Sequence, residues 1–251
     1  MSILLDKAPM PGKLCAVIFL LDTSYSMQGA PIGAVNDAVE KILPELVSMN
    51  DEQSDSDIKL GVLTFDSEVK WIFGETGLVS PEEVQNSWND LNVNGATSMG
   101  EAFSALNEKL SVKHGFMKEA SCARAPVLFL LSDGEPTDDY QAGLQDLKEN
   151  GWYKYAARVA IGYGTDCNDD VLVEFTGNRE TVLHTNNVNE LKKLIKFAVV
   201  TSSKVASRGK NISTDADNLE EADDNTQKTA DAFKAQGSLL DNDDLSEWGA
   251  L

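Results

Sequence analysis

Two stretches without a charged side chain, residues 14–21 (LCAVIFLL) and 126–131 (PVLFLL), constrain this chain most. A half-exposed strand alternates apolar and polar residues, whereas an unbroken apolar run of six to eight residues suits a strand covered on both faces. Each run stops at an acid: the first at Asp22, the second at Ser132-Asp133. Strands buried on both sides belong to a sheet with helices above and below. In such a sheet the carboxyl ends of the central strands are where side chains are released towards a ligand.

The intervening sequence supplies the helices. Ile32, Val35, Val39, Ile42 and Leu46 recur three and four apart and predict a helix from about Pro31, which Pro44 is expected to kink near its end. Residues 58–65 and 69–73 read as strands joined at Asp66-Ser67, an antiparallel hairpin at one sheet edge. Met99, Phe103, Leu106 and Leu110 mark another helix, and Leu144 and Leu147 a third. A buried strand follows over 156–161, then a short one around Val182, and a last helix from about Val188 carrying Leu191, Ile195 and Val199. The expected fold class is α/β: a doubly wound, mostly parallel sheet with one antiparallel edge strand and helices on both faces.

The domain is expected over residues 10–205. Residues 206–251 are rich in Asp, Glu, Asn, Ala and Thr and poor in large apolar side chains, so they read as an acidic, disordered tail. Its last stretch mixes acids with Leu245 and Trp248, either a solvated end or a docking peptide. The formal net charge is −20, which argues against a nucleic-acid partner and against an anionic membrane surface. Three scattered cysteines, Cys15, Cys122 and Cys167, form no disulfide framework, and no basic segment precedes a long apolar run; both point to the cytoplasm. Cys167 reads as a passive loop residue, His114 and His184 as ordinary surface or strand-end residues, and Lys192, Lys193 and Lys196 as a basic, solvated helix face.

Chemistry concentrates where the apolar runs end. Asp22-Thr23-Ser24-Tyr25-Ser26 follows the first, and Leu131-Ser132-Asp133-Gly134-Glu135 closes the second. The serines could cap the next helix, but that helix is expected to start only near Pro31. If the strands are neighbours, Asp22 and Asp133 face one crevice, where two carboxylates repel and a divalent cation relieves the cost. Thr97, in the loop Gly95-Ala96-Thr97-Ser98, is a candidate to complete the set.

DTSYSM, GATSMGEA and LLSDGEPTD, in that order, resemble the metal-ion-dependent adhesion site of a von Willebrand factor A domain. Within that superfamily, PMPGKLCAVIFLLDTSYSMQGAPIGAVNDAVEKI with LLSDGEPTDDY is most similar to the bacterial TerY-like proteins of tellurite-resistance loci. The resemblance implies that Ser24, Ser26 and Thr97 offer hydroxyls to the metal and that Asp22 and Asp133 act directly or through water. Tyr25 and Ala96 stand where the family commonly has glycine. Two carboxylates and three hydroxyls balance a 2+ ion, and hard oxygens suit Mg²⁺, with Mn²⁺ or Ca²⁺ as alternatives. One coordination position is left for a partner's Asp or Glu. The implied function is metal-dependent protein–protein recognition without catalysis, in a bacterial stress system. A protein Ser/Thr kinase and a PP2C-type phosphatase are the implied partners, and Thr214, Thr226, Thr229 and Ser246 in the tail are the candidate phosphorylation sites. The tail's own carboxylates are a second candidate occupant of the metal, since about 45 flexible residues span roughly 35–40 Å. A metal-dependent phosphatase or phosphotransferase using Asp22 and Asp133 is the alternative, weakened because Ser24 stands where such enzymes usually carry a second Asp.

Overall fold

Strand β1 (Lys13–Asp22) lies at the centre of a six-stranded sheet of order β3-β2-β1-β4-β5-β6. Its neighbours are β2 (Ser56–Phe65) and β4 (Val127–Ser132), and beyond β4 come β5 (Ala157–Tyr163) and β6 (Val182–Thr185), all parallel. Only β3 (Val69–Phe73) runs antiparallel, paired to β2 at the edge. The computed structural model describes residues 13–52, 56–111, 115–119, 124–165, 167–208 and 225–240.

The apolar run of β1 is divided residue by residue between two cores. Cys15, Val17, Phe19 and Leu21 face one layer, Ile18 and Leu20 the other, and β4 alternates likewise with Val127, Phe129 and Leu131 against Leu128 and Leu130. Both faces are covered, so β1 carries no charge between Lys13 and Asp22 and β4 carries none at all. The first layer is built by α1 (Ala30–Glu52), α2 (Pro81–Ser87) and α7 (Val188–Arg208); the second by α3 (Met99–Lys109), α4 (Tyr140–Glu149), α5 (Gly151–Tyr155) and α6 (Asp169–Thr176). Helix α1 continues eight residues past Pro44, which lies inside it rather than closing it. Its acids also account for the basic face of α7: Lys192 pairs with Asp37, and Lys196 Nζ lies 2.6 Å from Glu45. Those two lysines are cross-helix partners, not simply a solvated face.

For part of the acidic, disordered tail expected over residues 206–251 the structure shows helix instead. Helix α7 runs to Arg208, and Asn225–Leu240 forms a further helix, α8. Phe233 of α8 packs on Phe197 of α7, ring centres 4.9 Å apart, and Ala230 is fully buried. The start of α8 is tied to the sheet: Asn225 Nδ2 donates to Tyr155 O (2.8 Å) and Thr226 Oγ1 to Ala156 O (3.0 Å). A few well-placed apolar residues at helical spacing suffice to dock a helix whose composition is otherwise polar. Thr226 and Thr229 are consequently buried. They are not the accessible sites for a kinase that the sequence suggested, while Thr214, Ser246, Leu245 and Trp248 lie outside the described residues, as do His114 and Cys122.

Candidate metal centre

The sheet order reverses direction between β1 and β4, and in doubly wound folds that switch point opens a crevice at the carboxyl ends of the two strands. Leu21 pairs with Leu131, so Asp22 and Ser132 leave the sheet side by side. Asp22 is fully buried. Its Oδ1 accepts the Ser24 N–H (2.8 Å) and its Oδ2 the Ser132 hydroxyl (2.5 Å). Burial pushes the Asp22 carboxyl up to about 6 from 3.8, the charge of Asp133 adds to the rise, and the bonds from Ser132 and Ser24 offset part of it. The two acids thus sense each other across the crevice, as their placement after neighbouring strands predicts.

Ser24 is nearly buried, and its Oγ lies 2.9 Å from Ser26 Oγ on the exposed rim. Ser24 is the N-cap residue of the short 3₁₀ turn Tyr25–Met27, yet its side chain makes no capping bond. Helix α1 begins only at Ala30. Capping therefore does not occupy these hydroxyls. They point instead at each other beside two carboxylates.

The third element is set by three clamps. Asn94 N–H donates to Thr23 O (2.8 Å) and Tyr25 N–H to Gly95 O (3.2 Å), drawing the 94–98 loop onto the DTSYS loop. Gly95 has φ +58°, and a Cβ there would meet Ser67 Oγ at 1.9 Å, so only glycine allows this approach. Thr137 grips the backbone of Thr97 at both ends: its Oγ1 accepts the Thr97 N–H (3.0 Å) and donates to Thr97 O (3.1 Å). Asp138 accepts from Gly100 N–H and Glu101 N–H at the start of α3. The Thr97 side chain is buried, and among the described residues its hydroxyl has no hydrogen-bond partner.

Asp133 is half-buried, its Oδ1 accepting the Glu135 N–H (3.1 Å), and its carbonyl accepts the Asn168 N–H (3.0 Å). Asp22, Ser24, Ser26 and Asp133 thus stand at the adjoining ends of β1 and β4, and the clamped 94–98 loop carries Thr97 beside the DTSYS loop. The donors are all oxygen, graded from a buried floor to an exposed rim. Such a set fits a hard divalent cation and lacks the nitrogen and sulfur that Zn²⁺ favours. Sequence reasoning missed Ser132, Thr137 and Asp138, which orient the site rather than fill it. Ser132 was signalled only by its place before Asp133 at a strand end. Tyr25, 61% exposed, stands beside Ser24 and Ser26 as one of the few large apolar side chains left open among the described residues.

Cys167, Asp169 and His184 also deserve note at the neighbouring strand end. His184 Nδ1 lies 2.9 Å from Asp169 Oδ1, and the three side chains converge. His184 is therefore no isolated strand-end residue. Burial pushes the Cys167 thiol up to about 12, with the charges of Asp169 and Asp133 adding to the rise.

No curated protein sequence matches the chain. Several solved structures share the fold. Proximal thread matrix protein 1 from the mussel byssus, in a form whose metal-ion-dependent adhesion motif is occupied by zinc, is 21% identical with a TM-score of 0.59, over 76% of this chain and 48% of that one. A von Willebrand factor type A protein from Catenulispora acidiphila is 16% identical with a TM-score of 0.59, over 76% and 43%. The pilus adhesin SpaC from Lactobacillus rhamnosus GG, in its open conformation, is 12% identical with a TM-score of 0.58, over 80% and 31%. The chain spans less than half the length of each of these structures, and at such identities the likeness speaks for the fold alone. The family is carried by the sequence: residues 16–197 match the von Willebrand factor type A domain, and the chain belongs to that family.

Proposed function

We propose that this chain is a protein-binding module whose contact is made through a divalent cation held by Asp22, Ser24, Ser26, Thr97 and Asp133. The observation that carries the reading is the buried Asp22 carboxylate facing Asp133 beside two hydroxyls that no cap uses. In a metal-free protein this arrangement only costs stability, since burial and a like charge both disfavour the ionised acid. A 2+ ion converts the same groups into ligands. Mg²⁺ is the ion we favour, on the hardness of the donors. With five protein oxygens around it directly or through water, an octahedral ion retains a position for a carboxylate from the partner. Tyr25, exposed on the rim, then supplies apolar contact around that carboxylate.

We read the module as non-enzymatic. The phosphotransferase alternative requires a second acid two residues after Asp22, where this chain has Ser24, with its N–H committed to Asp22. We further propose a bacterial, cytoplasmic setting of the TerY-like kind, with a Ser/Thr kinase and a PP2C-type phosphatase as partners. This rests on the motif resemblance and on the free thiols of Cys15 and Cys167.

The test is affinity capture from the native host with and without EDTA, using wild type, Asp22→Ala and Thr97→Ala. A partner that is retained with Mg²⁺, released by EDTA and lost in both variants is the expected result. The same partners captured by all three proteins, metal or no metal, would place the interface elsewhere.

A further inference from the structure

We propose that Cys167, Asp169 and His184 form a second metal site, distinct from the oxygen-lined crevice, that takes a borderline ion such as Zn²⁺ and keeps one coordination position open. The three come from separate places: Cys167 from the loop after β5, Asp169 from the first turn of α6, and His184 from β6. Their ligand atoms nevertheless lie within 4.8 Å of one another. Zn–S and Zn–N bonds of ~2.3 and ~2.0 Å place tetrahedral ligands roughly 3.4–3.8 Å apart, so movements of about an ångström complete the geometry.

The backbone beneath the cluster is shaped for it. Gly162 of β5 pairs in register with His184. A Cβ on Gly162 would stand 2.7 Å from Cys167 Sγ and 3.2 Å from Asp169 Oδ1. Any other residue there would make the thiol shift and would press on the Asp169 carboxylate. The glycine keeps the space in which the three side chains meet.

The donor types give the ion class. One thiolate, one carboxylate and one neutral imidazole carry two negative charges, which balance a 2+ ion, and sulfur with nitrogen selects Zn²⁺ or its congeners over Mg²⁺. Three protein ligands leave a fourth position, and His184 is exposed, so that position opens to solvent. Arg179 approaches the cluster, but its Nη2 lies 3.6 Å from Asp169 Oδ2, the oxygen not shared with His184, and its side chain is mostly exposed. An ordinary Asp169–His184 pair would need no sulfur, and Cys167 is what sets this cluster apart. The site also abuts the first one: Asn168, between two of the ligands, donates its N–H to Asp133 O.

Co²⁺ titration of the full metal-free chain tests the assignment, because only thiolate ligation gives an intense near-ultraviolet sulfur-to-cobalt band. With Mg²⁺ in excess to fill the oxygen-lined crevice, the band is expected to saturate at one equivalent, to disappear in Cys167→Ser, to persist in Asp22→Ala, and to yield to added Zn²⁺. His184→Gln is expected to weaken Co²⁺ binding by ~10-fold or more, since loss of a direct ligand costs at least as much as loss of a supporting one. As His184 is exposed, that variant reports even where Cys167→Ser disturbs folding. Absence of the band in wild type, or its survival in folded Cys167→Ser, or unchanged Co²⁺ affinity in His184→Gln, would overturn the proposal.

Discussion

Replacing Asp22 by Asn should make the metal-free protein more stable while removing its response to Mg²⁺. The folded-state pKa of Asp22 is raised from 3.8 to about 6, chiefly by burial. A raised acid stabilises the fold fully below its unfolded pKa, and that contribution is lost as pH rises through the folded value. At pH 7 the ionised Asp22 therefore costs the metal-free fold ~3 kcal/mol, at about 1.4 kcal/mol per pKa unit. Asn removes the charge and can still accept the Ser24 N–H, but its amide group must replace the oxygen that accepts from Ser132, forfeiting about 1 kcal/mol. The net gain is then ~2 kcal/mol, or roughly 4–8 °C in Tm for a domain of this size. Thermal unfolding in EDTA at pH 7 should show it, and the gain should vanish near pH 4, where wild-type Asp22 is itself protonated. With Mg²⁺ at a hundred times its dissociation constant, wild type should gain about 2.7 kcal/mol and the variant nothing. Equal or lower stability of Asp22→Asn in EDTA at pH 7, or a gain that does not change with pH, would refute the argument.

Proton and metal compete for Asp22, so Mg²⁺ affinity measured by calorimetry should climb up to ~10-fold per pH unit between pH 5 and 6 and level off above about 7. A flat profile across that range would show that Asp22 is not a ligand. Phe233→Ala should lower stability by about 3 kcal/mol through the lost Phe197 contact, with Mg²⁺ affinity unchanged. A loss below about 0.5 kcal/mol in denaturant unfolding would mean that α8 is not docked in solution.

The strands were legible because burial on both faces leaves no choice of residue: 14–21 and 126–131 announce β1 and β4, and their terminal acids mark the crevice. The hairpin of β2 and β3 was equally plain. Thr97 was harder, since its position depends on Thr137, 40 residues away, and on Asp138 beside it, which no local pattern around Thr97 reveals. The convergence of Cys167, Asp169 and His184 left no trace in any single window, because it arises from the register of β6 on β5. Helix α8 was hidden by its setting: Ala230 and Phe233 are too few to lift an acidic stretch above a disordered composition, although they suffice once α7 offers a surface.

The docking of α8 loads the far pole of the sheet. Asn225 and Thr226 bind at the entry end of β5, the pole opposite Asp22. Lys234 pairs with Glu180, just before the entry of β6, and Phe233 rests on Phe197 of α7, so three separate elements hold the helix away from Asp22 and Asp133. A partner seated over those two acids and a second contact made through α8 would therefore approach the module from opposite ends.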